Sequence, residues 1–292
     1  MGHKSGFVNI IGNPNVGKST LMNALVGEKL SIITKKAQTT RHRLMGIVNG
    51  DDFQIIYSDT PGIVDPHYKL HEYMMKYIES ALLDADIFLL VTEIGETFTH
   101  DHVIKRMKES EIPVIVIINK IDNSNQSNVI ATMKQWSDKI PGCEVIPTSA
   151  LNKFNMELVF QTIIKHLPES PAYYSKDQLT DRSERFFVSE IIREKILVHY
   201  KKEIPYSTEV VVDAFKEEER IIRIIAIIFV ARETQKAIMI GHQGSALKRV
   251  GTEARKDMEE FFGKKVYLET TVKVNKDWRD QDIHLKRFGY NN

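Results

Sequence analysis

Short apolar stretches alternate with longer amphipathic ones along the first half of the chain. The apolar stretches are rich in β-branched residues and predict strands at residues 7–11, 53–57, 87–92, 114–118 and 144–146. Helical periodicity lies between them, at residues 19–26, 69–83, 100–110, 128–136 and 155–166. Such alternation, with nearly all-apolar strands, predicts a mostly parallel sheet with helices on both faces. A ligand site is expected beyond the carboxyl ends of the strands.

The pattern changes after Pro168 and Pro171, two prolines that stop the preceding helix. The second half has the pattern of a helix at residues 183–199, strands at 208–215 and 220–232, a short helix, a long helix at 245–262 and a strand at 265–273. The short charged turn at 216–219 predicts an antiparallel hairpin. The predicted fold is therefore an α/β domain over residues 1–170 followed by an α+β domain over residues 171–292.

Composition supports two ordinary globular domains. The chain has 292 residues, of which 42% are hydrophobic and 27% are charged, so collagen-like, coiled-coil and wholly disordered classes are excluded. The most apolar stretch, residues 221–230, is interrupted by Arg223 and is too short to span a membrane. The first residues lack the pattern of a secretory signal, and the single cysteine, Cys143, cannot form an internal disulfide. We therefore expect a cytoplasmic location.

The formal net charge of +1 conceals a basic cluster in the second half, at Lys248, Arg249, Arg255, Lys256, Lys264 and Lys265. A cluster of this kind is compatible with either a solvated surface or a nucleic-acid interface. Charge alone does not distinguish the two.

A phosphate-binding loop follows the first predicted strand. The residues Gly12, Asn13, Pro14, Asn15, Val16, Gly17, Lys18 and Ser19 fit the pattern G-x-x-x-x-G-K-[ST] and lead into a predicted helix that continues through Thr20. Glycines allow backbone N–H groups to converge on phosphate oxygens, Lys18 reaches the β- and γ-phosphates, and Ser19 is a Mg²⁺ ligand. The motif, in this context, predicts a nucleotide site.

The segment Asp59, Thr60, Pro61 and Gly62 ends another predicted strand. Alone it is a common turn. Behind a phosphate loop, the Asp59 carboxylate is predicted to hold Mg²⁺, and the Gly62 backbone N–H is predicted to contact the γ-phosphate.

Base recognition is predicted from Asn119, Lys120 and Asp122, which follow the strand at 114–118. A carboxylate at Asp122 accepts hydrogen bonds from guanine N1–H and the 2-amino group, a donor pair that adenine lacks, so the nucleotide is predicted to be GTP or GDP. The segment Ser149, Ala150 and Leu151, after the next strand, is expected to present a backbone N–H to guanine O6.

These elements, in this order, resemble the translation-factor-related class of P-loop GTPases. The resemblance implies that residues 31–43 form the first switch and that a threonine there covers the γ-phosphate and binds Mg²⁺. We favour Thr40 over Thr39, because related GTPases place this ligand just before an arginine. The implied metal ligands are Ser19, Thr40 and Asp59, and the implied catalytic residues are Lys18, Thr40 and Gly62.

Two positions bear on hydrolysis. Ile63 stands where many GTPases have a glutamine that orients the attacking water, so we expect slow intrinsic turnover. Asn15 resembles the asparagine that allows some of these GTPases to use a bound K⁺, although an asparagine that only stabilises the loop is an equal alternative.

The second domain has the element order of a type II KH fold, with a G-x-x-G loop between its consecutive helices. The loop is Gly241, His242, Gln243 and Gly244, and Lys248 and Arg249 follow it. Such a loop brings backbone close to nucleic-acid phosphates, and the fold clamps about four nucleotides of single-stranded RNA. These six residues are the predicted RNA site.

The two domains, with Gln-Thr-Thr-Arg-His-Arg at residues 38–43, resemble the Era GTPases along essentially the whole chain. The resemblance implies a monomeric, GTP-dependent assembly factor of the small (30S) ribosomal subunit that binds 16S rRNA near its 3′ end, with peripheral association of some members with the inner membrane. Two alternatives remain: a membrane or cell-division GTPase whose KH-like domain binds protein, and a GTPase that supports an RNA-modification reaction.

Overall fold

The computed structural model describes residues 2–290 and divides into two compact units. The first comprises the residues up to 66 together with 71–181, and the second comprises 67–70 and the residues from 182 onward. Each unit has its own sheet.

The first unit is built on a six-stranded sheet with the order β2-β3-β1-β4-β5-β6. Its strands are β1 (Lys4–Ile11), β2 (Leu44–Asn49), β3 (Phe53–Asp59), β4 (Ile87–Glu93), β5 (Val114–Asn119) and β6 (Glu144–Pro147). Neighbouring strands are parallel except for β2, which pairs antiparallel with β3 at the edge. The predicted parallel sheet is confirmed, and β2 is an addition that the pattern of apolar residues did not reveal.

The helices of this unit are α1 (Lys18–Val26), α2 (Lys69–Leu83), α3 (Asp101–Glu109), α4 (Gln126–Lys139) and α5 (Met156–His166). One apolar cluster packs α2, α3 and α4 against alternate residues of β4 and β5, including Phe88, Leu90, Val116 and Ile118. The strands are buried over most of their length, because helices cover them. Their polar ends are thereby left to form the site.

The segment at 171–181 packs on the first unit. The boundary between the two units therefore lies after residue 181, whereas the sequence predicted it after residue 170. The Gln54 side chain accepts hydrogen bonds from the backbone N–H groups of Tyr173 (2.8 Å) and Tyr174 (3.0 Å). The Tyr173 ring lies 5.1 Å from that of Phe7. The buried Gln54 amide and the aromatic contact with Phe7 place this segment on the first unit, although two prolines precede it.

The second unit contains α6 (Glu184–His199), β7 (Thr208–Glu217), β8 (Ile221–Val230), α7 (Glu233–Ile240), α8 (Ser245–Phe262), β9 (Lys265–Val274) and α9 (Asp282–Arg287). Strands β7 and β8 form the predicted antiparallel hairpin, and β9 pairs parallel with β8. Alternate residues of β8, from Ile222 to Val230, are buried against the helices. The predicted α+β arrangement is confirmed.

The end of the described chain is fastened to this second core. Trp278 is fully buried, and its Nε1 donates to the Ser207 backbone oxygen at 3.1 Å. The Tyr290 hydroxyl donates to Glu209 at 2.7 Å, also in the interior. Trp278 is therefore a packing residue, as expected, whereas the short helix α9 has no counterpart in the predicted elements. Within residues 2–290, no helix has both the length and the apolar character needed to cross a membrane.

An ion pair between the buried Arg43 and the exposed Asp84 joins the start of β2 to the end of α2. The Arg43 guanidinium donates to both carboxylate oxygens of Asp84, at 2.7 Å and 2.9 Å. It also donates to Ser58 Oγ at 2.6 Å. Only 7% of the Arg43 side chain is exposed, so its charge depends on these partners. Arg43 therefore anchors the last residue of the predicted first switch in the body of the domain.

We expect Asp84→Ala to lower the free energy of unfolding by about 2 to 3 kcal/mol, because the Arg43 charge would stay buried without its carboxylate partner. The matched control is Glu109→Ala, which breaks the largely exposed pair with Lys105 and should change stability by less than about 0.5 kcal/mol. Urea unfolding of the full chain, followed by circular dichroism, measures both. Equal stabilities of the two variants would contradict the assignment.

Candidate functional site

A cleft of about 650 Å³ lies at the carboxyl ends of β1, β3 and β5. Its volume suits a nucleotide-sized ligand. Predicted site residues line it at Pro14, Asn15, Gly17, Lys18, Ser19, Thr20, Thr40, Gly62, Asn119, Lys120, Asp122 and Leu151. The remaining predicted residues lie behind this lining. They are Gly12, Asn13, Val16, Asp59, Thr60, Pro61, Ser149 and Ala150.

The loop at residues 12–17 turns tightly between β1 and α1 and carries Lys18 on the first turn of the helix. The Lys18 ammonium donates to the backbone oxygens of Gly12 (2.9 Å) and Asn13 (2.8 Å). Burial lowers the pKa of Lys18 to about 8, and the nearby carboxylates of Asp59 and Glu96 oppose this shift. The ammonium is thus held inside the loop, where phosphate oxygens would replace its carbonyl partners.

Three hydroxyl groups converge on one oxygen of the buried Asp59 carboxylate. Ser19 Oγ donates to Asp59 Oδ2 at 2.7 Å, and Ser31 Oγ donates to the same atom at 2.8 Å. Thr40 Oγ1 lies 3.5 Å from that oxygen and 2.9 Å from Ser19 Oγ. Segments distant in sequence therefore meet at Asp59.

The second oxygen, Asp59 Oδ1, is buried and has no hydrogen-bond partner among the described residues. Burial raises the pKa of Asp59, and its hydrogen bonds with Ser19, Ser31 and Thr40 only partly oppose this. A buried carboxylate oxygen beside two hydroxyls is a donor set that fits Mg²⁺, which commonly uses one or two carboxylates together with nucleotide phosphates. Elsewhere in residues 2–290, no group of three or more His, Cys, Asp or Glu side chains is placed to hold a metal.

The two switch threonines have different surroundings. Thr40 faces Ser19 and Asp59, whereas Thr39 Oγ1 lies 2.7 Å from Thr34 Oγ1 and donates to the Lys36 backbone oxygen at 2.6 Å. Thr39 therefore closes the loop on itself. This arrangement supports the predicted preference for Thr40.

Gly62 lies against the phosphate loop. A Cβ atom built on Gly62 would be 2.7 Å from the Pro14 backbone, so a larger residue would displace one of the two segments. Thr60 donates to the Ile10 backbone oxygen at 2.7 Å, which fixes the strand end before Gly62. The Ile63 side chain is buried in the apolar cluster of the first unit and does not supply a polar group to the cleft.

Asn119 connects the side of the cleft that is predicted to bind guanine to the side that is predicted to bind phosphate. Its Nδ2 donates to the Val16 backbone oxygen at 2.9 Å, and its Oδ1 accepts from the Ala150 backbone N–H at 3.0 Å. The Ala150 backbone N–H is therefore hydrogen-bonded to the Asn119 side chain and is not left open to the cleft. Asn119 holds together the predicted phosphate loop and the segment at 149–151.

Lys120 and Asp122 lie at the mouth of this side. The Lys120 ammonium donates to the Asn15 backbone oxygen at 2.6 Å and pairs with Glu93 at 2.6 Å. Asp122 is exposed, and its Oδ1 accepts from Ser149 Oγ at 2.5 Å. Ser149 thus orients the carboxylate that is predicted to read guanine, while Leu151 stands exposed beside it.

Two residues that contact the site were not singled out from the sequence: Ser31, the first residue of the predicted first switch, and Glu93. Ser31 reaches Asp59 because Asn23 of α1 accepts hydrogen bonds from the backbone of Leu30 and Ser31, at 3.0 Å and 2.9 Å. Glu93 reaches Lys120 from the end of β4. Neither belongs to a spaced motif. The position of Glu93 directly after the predicted strand at 87–92 is the one feature of the sequence that could have identified it.

The G-x-x-G loop of the second unit connects α7 to α8 as predicted. A Cβ built on Gly241 would meet the Ala246 Cβ at 2.6 Å, whereas one built on Gly244, whose φ is 77°, would meet nothing within 4 Å. His242 and Gln243 are exposed between them. Gly241 is thus required by the fold, and Gly244 faces open space.

The surroundings of this loop are basic and rigid. Lys248 and Arg249 are exposed on the first turns of α8. The buried Tyr200 hydroxyl donates to the Met239 backbone oxygen at 2.6 Å, which fixes the end of α7, and burial raises the pKa of Tyr200 to about 12. A glycine-containing loop flanked by two exposed cations is an arrangement that suits contact with RNA phosphates.

Comparison with known proteins agrees with both units. Residues 7–120 match the family described as 50S ribosome-binding GTPase, and residues 203–279 match the KH domain. The GTPase Era of Syntrophus aciditrophicus is 48% identical over 292 residues, which cover 99% of this chain and 95% of that protein. The GTPase Era of Staphylococcus haemolyticus is 42% identical over 291 residues, which cover 99% and 97%.

Two solved structures are similar over the whole chain. One is Era in complex with MgGDPNP and nucleotides 1506–1542 of 16S ribosomal RNA, with a TM-score of 0.94, 38% identity, and coverage of 99% of this chain and 100% of that one. The other is a variant of Aquifex aeolicus Era bound to GDP and AlF4⁻, with a TM-score of 0.94, 39% identity and the same coverage. Identity at this level over nearly complete chains establishes that this chain belongs to the Era family, whose members are GTP-hydrolysing enzymes with a P-loop GTPase domain followed by a KH domain.

Proposed function

We propose that this GTPase is a nucleotide-controlled RNA-binding switch that binds 16S rRNA near its 3′ end and assists assembly of the small ribosomal subunit. The observation that carries the proposal is the coexistence in one chain of the Asp59-centred cleft and an exposed G-x-x-G loop flanked by Lys248 and Arg249. The related Era structure that contains both MgGDPNP and 16S rRNA supports the same combination.

In the proposed complex, the loop at residues 12–17 surrounds the phosphates and Lys18 neutralises them. Ser19, Thr40 and Asp59 would hold Mg²⁺, which would supply positive charge to the nucleotide phosphates when bound. The Gly62 N–H donates to the γ-phosphate, and Asp122 accepts from guanine. Hydrolysis forms a bond from water oxygen to the γ-phosphorus and breaks the bond to the bridging oxygen, leaving GDP and phosphate.

The proposed intrinsic rate is slow. Ile63 is 4% exposed and packs in the core, so it orients no water. The main contribution of this domain to GTP hydrolysis is then to position the γ-phosphate with the loop at residues 12–17 and with Thr40. We further propose that a K⁺ ion bound near the exposed Asn15 side chain supplies the charge that other GTPases take from an arginine.

A cytoplasmic location and a monomeric state remain predictions from the sequence, and peripheral membrane association remains a prediction from the resemblance. A membrane or cell-division role with a protein-binding KH domain is the competing proposal. Complexes isolated from lysate distinguish the two, since only an RNA-dependent complex dissociates on treatment with nuclease.

The guanine assignment predicts a change of base preference. Asp122→Asn replaces an acceptor with a group that donates, and we expect GTP affinity to fall by about 100-fold while xanthosine triphosphate binding improves. Competition against a fluorescent nucleotide measures both affinities. Asp138→Asn, an exposed aspartate of α4 outside the cleft, is the matched control and should keep the parent preference. An Asp122→Asn protein that still prefers GTP would contradict the assignment.

The metal assignment predicts a nucleotide-selective loss. Thr40→Ala should weaken binding of a GTP analogue about tenfold in Mg²⁺ and leave GDP binding nearly unchanged, because the threonine is proposed to act only in the GTP state. Chelation of Mg²⁺ should abolish the difference. Thr39→Ala is the control, since Thr39 contacts the loop instead of Asp59. If Thr39→Ala gives the selective loss and Thr40→Ala does not, the assignment is reversed.

The K⁺ proposal predicts that replacing K⁺ with Na⁺ slows GTP turnover and that Asn15→Ala abolishes this difference. The alternative is that asparagine only suits the left-handed backbone at this position, where φ is 66°. Steady-state phosphate release in matched chloride salts measures the effect. Equal rates in both salts, together with parent activity of Asn15→Ala, would rule out the K⁺ role and leave the GTPase assignment intact.

The RNA assignment predicts a selective loss of RNA binding in Gly244→Asp. The carboxylate would face open space without a clash in the fold and would repel phosphates, so affinity for the 3′ end of 16S rRNA should fall more than about tenfold. GTP hydrolysis should persist. Filter binding or fluorescence anisotropy with the full chain measures the affinity.

The control is Gly263→Asp, at the opposite end of α8. Gly263 also has a left-handed backbone, with φ of 62°, and also faces open space, so the local strain is matched. This variant should bind RNA as the parent does. Equal RNA affinities of the parent and Gly244→Asp would overturn the RNA role of the loop.

A further inference from the structure

At the mouth of the cleft, Lys120 of the predicted base-recognition segment forms an ion pair with Glu93, which belongs to none of the predicted nucleotide-binding motifs. Glu93 Oε2 lies 2.6 Å from the Lys120 ammonium, and both side chains are 35% exposed. Glu93 is the last residue of β4 and is paired in register with Asn119 at the end of β5. The carboxylate and the ammonium therefore leave adjacent strand ends toward the same edge of the sheet.

A compact turn holds Glu93 in this position. Glu96 accepts hydrogen bonds from Thr92 Oγ1 at 2.5 Å and from the Glu93 backbone N–H at 3.2 Å. The Glu96 backbone N–H donates in turn to the Glu93 backbone oxygen at 3.2 Å. The Glu93 backbone is thus fixed on both sides, and its side chain extends from a rigid base.

The partner of Glu93 connects both sides of the cleft. The same Lys120 ammonium donates to the Asn15 backbone oxygen at 2.6 Å, and its Cε lies 4.0 Å from the position of a Cβ built on Gly17. The aliphatic part of the Lys120 side chain therefore lies across the phosphate loop. An ammonium with one backbone partner would be free to turn toward solvent, and the Glu93 carboxylate removes that freedom.

We propose that Glu93 is a positioning residue for nucleotide binding: it fixes Lys120 across the phosphate loop and thereby holds the guanine side and the phosphate side of the cleft in register. Glu93 touches no nucleotide in this arrangement and acts through Lys120. The inference rests on the placement of the nucleotide given under Proposed function.

The release rate of a fluorescent GDP from the full chain tests this role. Glu93→Gln keeps the shape of the side chain and removes its charge, and we expect release to accelerate about three- to fivefold, as for loss of a partly exposed ion pair. Lys120→Met removes the ammonium and should accelerate release at least as much. The double variant should release GDP no faster than Lys120→Met alone, since Glu93 has no partner left to position.

The matched control is Glu144→Gln, which breaks a pair with Lys165 of similar length, 2.8 Å, outside the cleft. Its release rate should equal that of the parent. Added salt should accelerate release from the parent more than from Glu93→Gln, because only the parent has the pair to screen. A merely structural contribution of Glu93 would persist in the Lys120→Met background and would show no such salt difference.

These outcomes distinguish a failure of the role proposed for Glu93 from a failure of the nucleotide placement given under Proposed function. Additive effects in the double variant, or a parent-like release rate in Glu93→Gln, would overturn the positioning role of Glu93. A parent-like rate in Lys120→Met would instead overturn the placement of the nucleotide on which the inference rests.

Discussion

The buried carboxylate of Asp59 is the constraint on which the nucleotide site depends. An ionised carboxylate is costly to bury, and its hydrogen bonds to Ser19, Ser31 and Thr40 oppose that cost only in part. The unpartnered Oδ1 provides a position for a cation. Because Thr40 belongs to the predicted first switch, the arrangement around Asp59 also connects the proposed metal site to the segment that is proposed to distinguish GTP from GDP. Arg43 anchors the end of that segment through Asp84.

The elements that depend on local pattern could be predicted from the sequence. The strands from β1 to β6, apart from β2, appeared as short apolar runs because helices bury them on both sides. The residues after their carboxyl ends converge in the cleft, including Lys18, Gly62 and Asp122, because parallel strands bring those ends to one edge. The G-x-x-G loop could likewise be located from the order of helices and strands around it.

Features created by tertiary contacts could not be predicted in this way. Strand β2 is a short edge strand that contains Gly46, and its pairing with β3 is not encoded in its own pattern. The segment at 171–181 joins the first unit through contacts distant in sequence, among them the Gln54 amide and a backbone bridge between Gly46 and Thr180. Ser31 and Glu93 likewise acquire their roles only when the chain brings Asp59 and Lys120 beside them.

We propose that the nucleotide whose Mg²⁺ Asp59 would bind controls how tightly the same chain binds RNA. The most direct measurement is the affinity of the full chain for an RNA of nucleotides 1506–1542 of 16S rRNA, with Mg²⁺ and either a non-hydrolysable GTP analogue or GDP. We expect the two nucleotide states to differ in RNA affinity, and we expect the difference to disappear in Thr40→Ala. Equal affinities in the two states of the parent protein would contradict the claim.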